Sequence, residues 1–141
     1  MQQVRIVEMS VIKNGEYFYQ KMGQFFASRR LRQELGNYAL SNEPDWIWFV
    51  AFKDEAVVGF LGTEPRKSGS FHITVLYVVE AERRQGIIRS LLKMALEKAD
   101  ENACSITITV KKELAYTLEK YGFYPTSVRG KNWIGMKRDK K

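Results

Sequence analysis

Residues 77–96 read YVVEAERRQGIIRSLLKMAL, and here the residue types could do chemistry. A run of β-formers breaks at the charged residues 80–85, a lone Gly86 follows, and the pattern resumes as a helix. The first turn of a helix presents backbone N–H groups that lack partners, and the macrodipole adds positive potential there. Such an end is an anion site. Gly86 would let a ligand approach the backbone closely. Arg83, Arg84 and Arg89 bracket it with charge suited to phosphate oxygens. The stretch therefore reads as a pyrophosphate cradle. Neither G-x-x-x-x-G-K-[ST] nor G-x-G-x-x-G is present, so the glycine taken alone reads rather as a plain strand-to-helix turn.

The elements that must position this cradle follow from periodicity. Residues 3–9 alternate as a strand, and Phe18, Met22, Phe25 and Phe26 recur at helical spacing from Glu16 to Arg29. Gly36-Asn37 is expected to end a short second helix. WIWFVAF (46–52) is apolar on both faces, as a buried central strand requires. KDEA turns it into VVGFLG (57–62), and TEPRKSGS (63–70) reads as a polar loop. In FHITVLYVV (71–79), strict alternation puts Phe71, Ile73, Val75, Tyr77 and Val79 on one face. His72, Thr74, Leu76 and Val78 then fall on the other.

The period then changes, with Ile87, Ile88, Leu91, Leu92, Ala95 and Ala99 on one helical stripe. SITITV (105–110) is a strand, and residues 113–121 form a helix with Leu114, Leu118 and Tyr121 inward. Gly122 caps that helix. Two strands follow around Arg129-Gly130-Lys131. The order β-α-α-β-β-β-α-β-α-β-β makes an α/β fold.

The 141 residues suit one domain spanning 1–141. Net charge is +7, and residues 129–141 hold six basic residues against one acid. That balance suits a phosphorylated cofactor, an anionic substrate or nucleic acid, with a solvated tail as the bland alternative. Cys104 is the single cysteine, which excludes an intrachain disulfide, and no Cys/His spacing suggests a metal. With neither a signal-like start nor a long apolar run, a cytoplasmic protein off the membrane is expected. Trp46, Trp48 and Trp133 read as packing residues.

LYVVEAERRQGIIRSLL resembles the acyl-CoA-binding motif of the GNAT family of N-acetyltransferases, a strand followed by [QR]-x-x-G-x-[GA] and a helix. Arg83 and Gly86 match it. TLEKYGFYPT (117–126) resembles the family's second signature, E-K-x-G-F, through Glu119, Lys120, Gly122 and Phe123. The resemblance implies a mixed, mostly antiparallel central sheet with helices on both faces. It implies acetyl-CoA as co-substrate, no metal, and transfer of acetyl to a primary amine by direct attack on the thioester. By position, the backbone of Leu76, Tyr77 and Val78 would hold the pantetheine arm. The amides of Arg83, Arg84, Gln85, Gly86, Ile87 and Ile88 would hold the pyrophosphate, with side chains of Arg84, Arg89 or Ser90 assisting.

There are departures from the pattern. Ile88 stands where Gly or Ala is usual, and its place on the stripe favours the core. Glu80 replaces a proline and brings negative charge near the cradle. Leu118 stands where many members have a tyrosine.

An alkylamine has a pKa of about 10.4 and must lose a proton before attack. His72, the only histidine, is the candidate base, with Glu64 and Glu80 behind it, and Tyr121 is the candidate acid for the thiolate. Proximity alone, with solvent taking the proton, is the remaining option. The acceptor would be an amine on a small molecule or protein. A nucleic-acid-associated enzyme, prompted by the basic end, and a non-catalytic CoA-binding module are the alternatives. Monomer and homodimer are both open.

Overall fold

The computed structural model describes residues 4–35 and 40–141. Seven strands form one sheet in the order β1-β2-β3-β4-β5-β7-β6. They are β1 (Val4–Met9), β2 (Ile47–Lys53), β3 (Ala56–Pro65), β4 (Phe71–Val78), β5 (Ile106–Lys111), β6 (Tyr124–Arg129) and β7 (Trp133–Arg138). Every neighbouring pair is antiparallel except β4 and β5. This is the mixed, mostly antiparallel sheet expected.

The helices are α1 (Val11–Asn14), α2 (Glu16–Phe26), α3 (Arg29–Glu34), α4 (Ile87–Glu101) and α5 (Lys112–Glu119). Alternation along β2 separates two apolar cores. Phe49 and Ala51 face a cluster with Leu91, Leu92 and Ala95 of α4 and Leu118 of α5. Trp48, Val50 and Phe52 face Phe18 and Met22 of α2 and Leu31 of α3. Both faces of β2 are thus buried, as its sequence demands. No helix of the described residues is long and apolar enough to cross a membrane.

The helix expected over Glu16 to Arg29 ends earlier, at Phe26, and the short second helix expected after it is α3. Ser28 accepts a hydrogen bond from the Leu31 N–H at 3.1 Å, and this cap starts α3 at Arg29, where the first helix was expected to end. The short α1 went unread in the sequence; Ser10 caps it by accepting from the Lys13 N–H at 3.2 Å. The expected stop at Gly36-Asn37 lies outside the described residues.

The segment read as a polar loop from residue 63 is partly strand. Thr63, Glu64 and Pro65 pair with Ile73, His72 and Phe71. Thr63 is buried and donates its hydroxyl to the Ile47 carbonyl at 2.8 Å.

Strict alternation fails along β4. Gly62 pairs with Val75 and Thr63 with Ile73, so Thr74 is an extra residue, a bulge. Its effect is to flip the faces beyond it. Ile73, Leu76 and Val78 pack on the α4 side, whereas Val75 and Tyr77 pack on the α2 side. Gly62 makes room for the bulge: a β-carbon there would lie 3.0 Å from both Thr74 Oγ1 and the Trp48 ring.

Candidate active site

Pairing between β4 and β5 stops after three residue pairs, Phe71 with Ile106, His72 with Thr107 and Ile73 with Ile108. Beyond Ile73 the two strands part, and among the described residues the edge of β4 that faces β5 has no strand partner. A cleft of ≈ 1270 Å³ fills the gap. Residues 73–78 and 108–111 line its two sides, with Ile88 and Leu92 of α4, Leu114 and Leu118 of α5, and Glu34 of α3 around them. The three positions Leu76, Tyr77 and Val78 therefore lie on the open edge, while β3 holds their other edge. Backbone groups pointing away from β3 are available to a ligand, except the Val78 carbonyl, which accepts from Arg83 Nε at 2.8 Å.

The cradle lies at the end of the same strand. A single 3₁₀ turn, Glu80–Glu82, leads to Arg83 in extended conformation, then Arg84 at φ 67° and Gly86 at φ 80°. Gly86 caps α4 in the left-handed region, where a side chain is strained. The first bond within the helix runs from the Ser90 N–H to the Gly86 carbonyl at 3.1 Å. The amides of Gly86, Ile87, Ile88 and Arg89 thus have no carbonyl one turn back. Nothing lies within 4 Å of where a Gly86 β-carbon would stand, so the approach to these amides is open.

The charges around the turn divide into two kinds. Glu82 pairs with Lys53 at 3.0 Å and Glu80 with Arg30 at 3.2 Å, which ties the turn to β2 and α3. The negative charge of Glu80 is compensated in this way. Arg83 turns back on the strand, donating Nε to the Val78 carbonyl at 2.8 Å, pairing with Glu34 at 3.4 Å and lying over the Tyr77 ring. Among the described residues, Arg84 and Arg89 have no such partners. The Ser90 hydroxyl donates to the Gly86 carbonyl at 3.1 Å. Burial and the neighbouring Glu34 carboxylate hold the Tyr77 phenol above its ordinary pKa.

Two apolar residues expected in the core instead border the cleft. Ile88 is 37% exposed and Leu114 44% exposed, and both line it. Their helical stripes point at the gap between β4 and β5 rather than at continuous sheet.

The structure does not bring the two catalytic candidates into the cleft lining. His72 sits where β4 and β5 are still paired, with Nδ1 2.7 Å from Thr107 Oγ1. Tyr121 packs against the core under α4, and its carbonyl accepts from Arg138 Nε at 3.2 Å. Burial pulls the His72 pKa below its ordinary value near 6.5, with Arg66 and Arg129 adding to the effect and Glu64 opposing it.

Between the depressed folded pKa and 6.5 the unfolded chain takes up a proton that the folded one resists, so stability falls as pH drops through that window. Urea midpoints at pH 7.5 and 5.5 should therefore differ more for the native chain than for His72→Asn. Equal differences in the two proteins would exclude this assignment.

Sequence reasoning missed the far side of the cleft. Thr74, Thr109, Lys111, Arg129 and Trp133 all line it. The sequence around Trp133 suggests packing and that around Arg129 a turn, because only long-range strand pairing puts them beside β4. The basic end is also less free than it looked. Arg138 makes bonds of 2.9 and 3.2 Å to Asp100, Lys141 lies 3.5 Å from Asp100, and Lys137 lies 3.9 Å from Asp139.

Comparison with known proteins agrees with this geometry. Residues 13–137 match the family model described as an acetyltransferase (GNAT) domain. The structure of ElaA from Escherichia coli superposes with a TM-score of 0.76 at 15% identity, covering 97% of this chain and 100% of that one. An acyl-CoA N-acyltransferase from Pseudomonas aeruginosa gives 0.72 at 21% identity, with 96% and 99% covered. A GNAT family acetyltransferase from Elizabethkingia anophelis, solved with acetyl-CoA bound, gives 0.66 at 16% identity, with 96% and 97% covered. Among curated proteins, none matches.

Proposed function

The chain belongs to the GNAT acetyltransferase family, and on that premise we propose that it binds acetyl-CoA in the β4–β5 cleft and acetylates a primary amine. The observation that carries this reading is the coincidence of the open β4 edge with the open start of α4. One offers peptide groups to an amide-bearing arm; the other offers four unpartnered N–H groups to a pyrophosphate. Arg84 and Arg89 add charge to the phosphates, while Arg83 holds the turn in place through Val78 and Glu34. Ile88 and Leu114 give the arm apolar walls.

Bound acetyl-CoA supplies a thioester carbon that an amine nitrogen attacks, so that a C–N bond forms, the C–S bond breaks and a proton ends on the released thiol. The chain's own contribution is to orient the two reactants and to limit water. Among the described residues the carboxylates bordering the cleft, Glu34 and Glu80, are already paired with arginines. His72 and Tyr121 lie outside its lining. We therefore give the amine's first proton to water and assign His72 and Tyr121 supporting places behind the cleft. The cytoplasm, where the sequence suggested the protein resides, is the proposed site of action.

Calorimetry should show acetyl-CoA binding with one site per chain, followed by release of CoA thiol in the presence of an acceptor amine. A chain that takes up no acetyl-CoA would remove this reading.

A further inference from the structure

Three strands carry a row of side chains at the end of the cleft away from α3. Lys111 on β5 is paired with Trp133 on β7, which is paired with Arg129 on β6. Residues directly opposite share a face of the sheet, so the three stand side by side. The alternate positions Val110 and Ile134 pack into the core beneath α4, which puts the row on the opposite face. With strands about 4.8 Å apart, the two cations are rooted roughly 10 Å from one another with the indole between them. All three line the cleft.

These two cations are uncommitted. Lys111 lies over the Trp133 ring, 5.9 Å from its centre, and Arg129 donates Nε to the Ser127 hydroxyl at 3.1 Å. Among the described residues no carboxylate pairs with either. Glu64, on β3, is taken by Arg66 at 3.4 Å. The acidic groups bordering the cleft, Glu34 and Glu80, are at its other end and already neutralised by Arg83 and Arg30. The cleft is thus balanced at the α3 end and positive at the β6–β7 end.

We propose that the acceptor is an amine that also bears an oxyanion, a carboxylate or a phosphate. Arg129 and Lys111 hold that oxyanion above Trp133 while the amine reaches toward the β4 edge. A polyamine would put a second ammonium against two cations and be disfavoured. The inference rests on the acetyl-transfer reading above and narrows its acceptor.

The test pairs amines that differ only in the anion: glycine with glycinamide, phosphoethanolamine with ethanolamine, with spermidine and an oligonucleotide alongside. The anionic member of at least one pair is expected to have about tenfold or greater advantage in kcat/KM, the size of one charge-assisted hydrogen bond. Whichever pair shows it tells carboxylate from phosphate. Arg129→Ala and Lys111→Ala should each collapse that ratio, Arg129→Lys should restore part of it, and acetyl-CoA affinity, which checks the fold, should hold.

Acetyl-CoA binding with turnover of spermidine or neutral amines alone, or of none of the anionic small molecules, overturns the proposal and leaves cofactor binding intact. Acceptance of the oligonucleotide alone overturns it in favour of a nucleic-acid substrate. Absence of acetyl-CoA binding removes the transfer reading, and this inference with it.

Discussion

Gly86→Glu is expected to raise the acetyl-CoA dissociation constant by about 100-fold or more while leaving the chain folded. Two effects combine. Gly86 sits at φ 80°, and a residue with a side chain there costs about 1–2 kcal/mol. The second effect is larger. A carboxylate at the start of α4 finds the same amides that a pyrophosphate would use, and the helix dipole favours it. The variant would cap its own helix, which offsets part of the strain and keeps α4 in place.

The ligand, by contrast, would meet occupied donors and a like charge. Losing one or two charge-assisted bonds at 1.5–3 kcal/mol each corresponds to about 10- to 10⁴-fold in affinity. Gly86→Ala separates the two effects. Its β-carbon would meet no atom within 4 Å, so only the backbone strain remains, and affinity should fall by less than about tenfold. Calorimetry on both variants, with circular dichroism to check folding, decides the matter. A glutamate variant that still binds within threefold of the native chain would show that the cradle lies elsewhere.

Much of this site was legible in the sequence because its signals are local. A glycine between a β-rich run and a helical stripe marks a strand-to-helix turn whatever surrounds it. The central position of β2 could be read from its apolar residues on both faces. What could not be read depends on partners far along the chain. Thr74 looks like any strand residue, and only its pairing against Gly62 and Thr63 makes it a bulge that flips Val75 and Leu76 to opposite faces.

Ile88 and Leu114 occupy helical stripes that normally mean core. Periodicity reports which face of a helix is apolar, not whether sheet lies beneath it, and here the sheet has parted. The same limit explains the acceptor side. Lys111, Trp133 and Arg129 come from three separate segments and meet only through the pairing of β5, β7 and β6. The basic residues at 137, 138 and 141 looked free because Asp100, which pairs with two of them, is distant in sequence.

The second large effect is on stability, and it reaches the site. Trp48→Ala should destabilise the fold by about 3–5 kcal/mol, as removal of a large buried aromatic does. Trp48 is fully buried, with Phe18, Phe26 and Phe60 at centroid distances of 5.7, 5.7 and 5.9 Å. Its indole N–H donates to Asn42 Oδ1 at 2.9 Å. Against a total of about 5–15 kcal/mol, such a loss leaves a marginal protein.

The gentler Trp48→Phe tests what the ring does for the cleft. The outer edge of the indole fills the space where a Gly62 β-carbon would stand, 3.0 Å away, beside Thr74 Oγ1. Ring and glycine are therefore matched across the bulge that opens the sheet. Gly62→Ala should be costly in the native background, about 1–3 kcal/mol for overpacking, and cheaper once Phe replaces Trp48. A double-mutant cycle in urea should give a coupling of at least about 0.5 kcal/mol, and acetyl-CoA affinity should recover in the same direction. If the two substitutions add independently, Trp48 is only a core residue and the bulge holds its shape without it.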